Sequence, residues 1–326
     1  MHTSFLRPSS AIGKVVFDLV MVLNLFRTGL SKEHNLFDMA KFIKSRERYR
    51  ISFFICIFLT VSVLSNASDP PNILFIIGDD MGVDALNGFD IGEHLPSTPN
   101  LDALRASGVT FTNVWSTPVC ASTRASLITG KYGVNNGVNT VPGVLSTDHR
   151  SVFKEIHDQT NGLYTSSVIG KWHLAGPNNY NHPYEHGVNE YMGVLNAGVD
   201  DYYTWIKIEN GVKDTCYEYV SSYFTDYAID WINQQTQPWF MWLAHVAPHA
   251  PFHIPPDEMY TLIGLDRNAR KYMAMIESLD YEIGRLLDSI PEEVLKNTIV
   301  IFLGDNGTPG RFVEGFPEGR GKQSIY

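Results

Sequence analysis

Apolar runs and amphipathic stretches alternate along the chain. Asn72-Ile-Leu-Phe-Ile-Ile77 is a continuous apolar run, the pattern of a parallel strand buried on both faces. Thr98 to Gly108 reads as a helix, with Thr at its cap, Pro99 in its first turn and Gly108 at its end. Val109 to Val114 alternates as a strand would, and Tyr164–Ile169 and Trp239–Ala244 read as further strands. Arg267 to Leu287 predicts a long helix with Ala269, Tyr272, Ile276, Leu279, Ile283 and Leu286 on one stripe, which is the face turned to a core. A second apolar run closes the series at Ile299-Val-Ile-Phe-Leu303. Strands alternating with helices predict an α/β fold, a mostly parallel central sheet flanked by helices.

The N-terminus departs from this rhythm. Lys41, Lys44, Arg46, Arg48 and Arg50 precede an uncharged run from Ile51 to Leu64, and Ser65-Asn66-Ala67 follows. Basic region, short apolar core and small-residue site read as a secretory signal peptide over residues 39–67, too short for a stable membrane span. A genuine anchor helix is the competing reading. Met39 opens this unit, which leaves residues 1–38 as an over-extended start. The expected product is secreted or periplasmic, with a catalytic domain over residues 70–326. Of the 25 basic and 35 acidic residues, nine and four precede Ser68, leaving 16 against 31, a net of −15. Such a body repels nucleic acid, so attraction to an anion must be local to a pocket. Only Cys120 and Cys216 remain beyond the leader, which excludes a disulfide scaffold, although the two could pair with each other.

Three places carry chemistry. Gly130 reads as a helix C-cap and Ser122 or Thr123 as an N-cap, which sets Cys120 just ahead of a short helix with Arg124 one turn inside. Backbone N–H groups and the helix dipole favour an anion there. Both apolar runs end alike, in Gly78-Asp79-Asp80 and Gly304-Asp305-Asn306. Ligands of open parallel sheets bind outside the carboxyl ends of strands. Three carboxylates and an amide oxygen meeting there would suit a hard cation, Ca²⁺ or Mg²⁺. His245, His249 and His253 recur at helical spacing, but Pro248 and Pro251 make the segment a loop.

Cys120-Ala-Ser-Thr-Arg-Ala-Ser-Leu-Ile-Thr-Gly130 resembles the sulfatase signature C-x-P-S-R-x-x-x-L-T-G, with Ser122 in place of proline and Thr123 in place of serine. The likeness extends from Asn72 to Tyr326 and points to formylglycine-dependent sulfatases of the arylsulfatase type, within the alkaline-phosphatase-like superfamily. It implies that Cys120 is oxidised to formylglycine by a maturation enzyme and that Asp79, Asp80, Asp305 and Asn306, with residue 120, hold one Ca²⁺. It also implies that Lys171 and His173 in Gly-Lys-Trp-His-Leu, together with Lys322 in Gly-Lys-Gln-Ser-Ile-Tyr, line the sulfate pocket. Arg124 would steady the nucleophile, His173 would serve as base, and His249 in Ala-Pro-His would face the leaving oxygen. The implied activity is hydrolysis of a sulfate monoester, from a small molecule or a carbohydrate. A formylglycine-type phosphonate or phosphoester hydrolase, and an inactive fragment, are the alternatives. The family block that holds Lys322 usually continues past the point where Tyr326 stands, which reads as an incomplete C-terminal part.

Overall fold

The computed structural model describes residues 69–89 and 95–309. The expected leader, the expected start region and Lys322 lie outside these residues. Seven strands form one sheet: β1 (Asn72–Gly78), β2 (Thr165–Lys171), β3 (Glu190–Val194), β4 (Trp205–Glu209), β5 (Val212–Cys216), β6 (Trp239–Ala244) and β7 (Thr298–Gly304). Their order is β5-β4-β3-β2-β6-β1-β7. The strands from β3 to β7 in that order are mutually parallel, and the β4–β5 hairpin adds an antiparallel edge. All six residues of β6 are buried, as befits a strand covered on both faces. The main helices are α1 (Pro99–Ser107), α2 (Cys120–Thr129), α3 (Val152–Gln159), α4 (Val220–Asn233) and α5 (Asn268–Ser289). Among the described residues, no helix is long and apolar enough to cross a membrane.

The α5 stripe is core throughout: Tyr272, Ile276, Leu279, Ile283 and Leu286 are fully buried and Ala269 nearly so. Its opposite ridge does polar work that periodicity does not reveal. Thr98 stands at the N-cap of α1, yet its side chain makes no capping bond. Asp280 from α5 does this instead, accepting from the backbone N–H of Asn100 at 3.1 Å and of Leu101 at 2.7 Å. Glu277, one turn earlier, accepts from the N–H groups of Ser97 and Thr261. One helix thus satisfies donors of two loops that lie 16 to 180 residues away in sequence.

Two expected elements differ. Val109–Val114 forms no strand; Val109, Phe111 and Val114 are exposed, so their alternation has no sheet to join. Helix α2 begins at Cys120 itself, with Val119 at the N-cap, while Ser122 and Thr123 lie inside the first turn. Thr123 is occupied by Thr117, bonding its backbone N–H and its hydroxyl, and so is not free to cap. Gly130 does end the helix, in the left-handed conformation.

His245, at the end of β6, is fully buried beside Phe224, and neither ring nitrogen has a partner. Burial, with a smaller contribution from Arg285, depresses its pKa to about 3. Protonation therefore favours the unfolded chain once pH falls below about 6.5, and the folded state loses stability from there down to about pH 3. Replacing His245 by Leu removes this dependence. The stability difference, variant minus parent, should rise by up to about 1.4 kcal/mol per pH unit as pH drops below 6.5. Urea denaturation at pH 7.5, 6 and 5 measures it, and parallel stability curves would refute the assignment.

Candidate active site

The site is built on strand register. β1 and β7 pair with Gly78 opposite Gly304, so the two Gly-Asp turns emerge side by side. Gly304 has no alternative, because a Cβ there would collide with the Met81 carbonyl oxygen. Asp305 N–H donates to the Gly78 carbonyl at 3.2 Å, and Asp80 N–H donates to Asp305 Oδ1 at 3.1 Å. Asn306 Nδ2 donates to Asp80 Oδ1 at 2.7 Å. Asp80 has a φ of 66°, in the left-handed region that non-glycine residues seldom occupy. Tyr272 of α5 secures that turn, its hydroxyl donating to the Asp80 carbonyl at 2.8 Å.

Two further elements enter from the other side. Cys120 is the first residue of α2 and Lys171 the last of β2. Cys120 Sγ lies 3.2 Å from His173 Nδ1 and 3.5 Å from Lys171 Nζ. Lys171 Nζ also donates to Asp79 Oδ2. Arg124, buried one turn inside α2, donates through Nε and an Nη to Asp305 Oδ2 at 3.0 and 2.9 Å, and through the other Nη to the Lys171 carbonyl at 2.6 Å. Like Asp80, His173 has a positive φ, 63°. His249 follows β6, with Nε2 at 4.0 Å from Asp80 Oδ2 and Nδ1 at 2.7 Å from the Ala250 carbonyl. The latter contact requires a proton on Nδ1, because a carbonyl only accepts. The structure thus assembles Asp79, Asp80, Cys120, Arg124, Lys171, His173, His249, Asp305 and Asn306 from four strand ends and a helix start. Cys120 and Cys216 are both free thiols, so they do not pair.

Burial and crowded charge shift the titration of Asp79, Cys120, His173 and Asp305. Burial alone would raise Asp79, but Lys171, His249 and Arg124 outweigh it and hold the carboxyl far below its usual range. Asp305 goes the other way: burial and the Asp79 charge push it up to about 7, against Arg124 and Lys171. His173 is depressed to about 3 by burial and by the Lys171 and Arg124 charges, so its ring is neutral. Burial pushes the Cys120 thiol up despite Lys171, which leaves it protonated at neutral pH and a poor nucleophile.

An acceptor excess remains. Asp79, Cys120 and Asp305 offer ligand atoms within 4.8 Å of one another, all buried. Asp79 Oδ1 and Asn306 Oδ1 are buried acceptors with no partner. Unpaired carboxylate and amide oxygens beside a carboxyl displaced to about 7 fit a divalent cation of the hard kind.

A family model described as Sulfatase matches residues 71–323. N-acetylgalactosamine-6-sulfatase of Homo sapiens is 30% identical over 279 residues, covering 74% of this chain and 51% of the relative. Arylsulfatase J of Mus musculus is 29% identical over 264 residues, covering 73% and 42%. The solved structure of Ps i-CgsB in complex with k-i-k-neocarrahexaose aligns with a TM-score of 0.67 at 25% identity, covering 78% of this chain and 62% of that one. The chain spans about half the length of the curated relatives it matches.

Arg124 and Asp305 form a fully buried ion pair. Removing one partner strands the other charge without solvent. Arg124→Ala should cost about 3–5 kcal/mol, and the double variant Arg124→Leu/Asp305→Leu should cost less than the single one. Chemical denaturation of the metal-free protein measures both, and wild-type stability of Arg124→Ala would contradict the assignment.

Proposed function

We propose that this chain, which belongs to the sulfatase family, hydrolyses sulfate monoesters at residue 120 after Cys120 is converted to formylglycine. The observation that carries the reading is the setting of Cys120. A buried thiol, kept protonated, faces a neutral histidine, a lysine and a cluster of acidic oxygens. A thiol so placed has little use as a thiolate, whereas an aldehyde there fits all three neighbours.

A hydrated aldehyde at residue 120 supplies two hydroxyls on one carbon, one to attack sulfur and one through which sulfate is released, and a bound Ca²⁺ supplies positive charge beside them. Asp79, Asp80, Asp305 and Asn306 would hold that ion. The chain's own residues do the rest. Arg124 is a fixed cation behind residue 120, tied by Asp305 and the Lys171 carbonyl so that it cannot swing into solvent. Its charge and that of Lys171 stabilise an oxyanion at residue 120 and draw in a sulfate group. His173 points Nδ1 at the residue 120 side chain and is neutral, the state needed to accept a hydroxyl proton. His249 keeps Nδ1–H on the Ala250 carbonyl, so its Nε2 faces the leaving-group oxygen, and a ring that carries a second proton there would hand that proton over as the S–O bond breaks. Lys322, which the family resemblance assigns to the same pocket, lies outside the described residues. A formylglycine-generating or equivalent enzyme is the implied maturation partner, and export through residues 39–67 belongs to the same proposal. Sulfated carbohydrates and small sulfate esters are the candidate substrates.

The test is direct. Co-expressed with a formylglycine-generating enzyme, the protein should yield a residue 120 peptide that has lost the thiol mass and reacts with a hydrazide. The same preparation should release sulfate from a nitrophenyl sulfate, and Cys120→Ala should release none. An intact thiol in a protein that still turns over the ester would overturn the mechanism. Full conversion without hydrolysis of any sulfate ester would overturn the function.

A further inference from the structure

A cavity of about 400 Å³ lies beside the site just described. One wall is the segment from Val194 to Asp200, and the others are the turn around Asn178 and the β4–β5 hairpin. The Val194–Asp200 wall is shared with the reacting centre. Its Leu195 carbonyl accepts the His173 backbone N–H at 3.0 Å. Its Gly198 comes so close to His249 that a Cβ there would stand 3.3 Å from Nδ1. Just beyond, Tyr202 donates its hydroxyl to the His249 carbonyl at 2.6 Å and stacks on His253 at 4.0 Å. The segment that borders the cavity is thus the segment that braces both histidines.

The lining has a definite chemistry. Asn178, Asn196, Thr204 and Thr215 offer neutral donors and acceptors, and Tyr180, Leu195, Val199, Trp205, Ile206 and Ile208 put apolar and aromatic surface beside them. Charge enters as one Lys213 and one Asp200, which offset each other. With a single lysine in the lining, a polyanion finds no basic track here. Hydroxyl-rich rings with alternating polar and apolar faces suit such a surface. Resting on the reading of residue 120 as the cleavage centre, we propose that this cavity is a subsite for neutral sugar units beyond the sulfated one. The enzyme would then act on an oligosaccharide, with the hairpin of β4 and β5 setting preference for chain length.

The probes are galacto-oligosaccharides of two, four and six sugars, each with one sulfate on the terminal sugar. Calorimetric titration of the full chain and initial-rate kinetics would both be recorded. Affinity and kcat/KM should rise at least tenfold from the two-sugar to the four-sugar probe. Thr215→Trp, which fills the cavity from the hairpin, should remove at least tenfold of that gain relative to the two-sugar probe. Lys213→Ala, a surface change that leaves packing intact, should reduce the gain at least threefold. Flat length dependence in the parent protein, or a gain that survives both variants, would overturn the subsite. Titration needs no turnover, so the two readings fail separately. Length-dependent binding without hydrolysis of any ester removes the catalytic proposal, whereas turnover with flat binding removes the subsite.

Discussion

The molecule is organised around a cluster of buried charges. Asp79, Arg124, Lys171 and Asp305 are all fully buried, and Asp80 is nearly so. Burying ions costs several kcal/mol each unless they are paired with good geometry. Here three carboxylates face two cations, an uncompensated charge of −1 in a dry cleft. Burial first, and the Asp79 charge second, displace Asp305 to about 7. A divalent cation held there would reverse the balance to +1. Such an ion would make the acidic cluster tolerable and would also turn it into an anion site.

The scaffold has little freedom around that cluster. Pairing Gly78 with Gly304 makes the two acidic turns neighbours, and a one-residue slip would send their carboxylates to opposite faces. Strain is confined to Asp80 and His173, the two non-glycine site residues with positive φ. Each is over-determined by contacts, Asp80 by Tyr272, Asp305 and Asn306, and His173 by the Leu195 carbonyl and Cys120. A backbone conformation that costs roughly 1–3 kcal/mol persists only under such support. The long helix α5 supplies part of it, through the Tyr272 hydroxyl on the Asp80 carbonyl.

Much of this was legible in the residues themselves. Three of the parallel strands, β1, β6 and β7, are uninterrupted apolar runs, and the two that end in Gly-Asp locate the acidic pair, whereas β3, which opens on Glu190, gives no such signal. Periodicity found α5 and its buried stripe. It misread Val109–Val114, because alternation says only that one face differs from the other, not that a sheet waits to receive it. Ser122 and Thr123 were natural caps by type, but the backbone entered the helix three residues sooner and Thr117 engaged Thr123. Tyr272 looked like core and proved to be core with a polar tip at the site, a use that buried tyrosines commonly find. Asp280 as the cap of α1, and Tyr202 as the brace of His249, depend on contacts spanning 180 and 47 residues, beyond the reach of local pattern.

Calcium binding tests the central claim most directly. Titration of metal-free protein with Ca²⁺ should show one ion per chain, with a thermal midpoint that rises as the ion is added. Asp305→Ala should abolish the heat of binding and the rise in midpoint together. Stoichiometric zinc binding without calcium, or calcium binding that survives Asp305→Ala, would contradict the account.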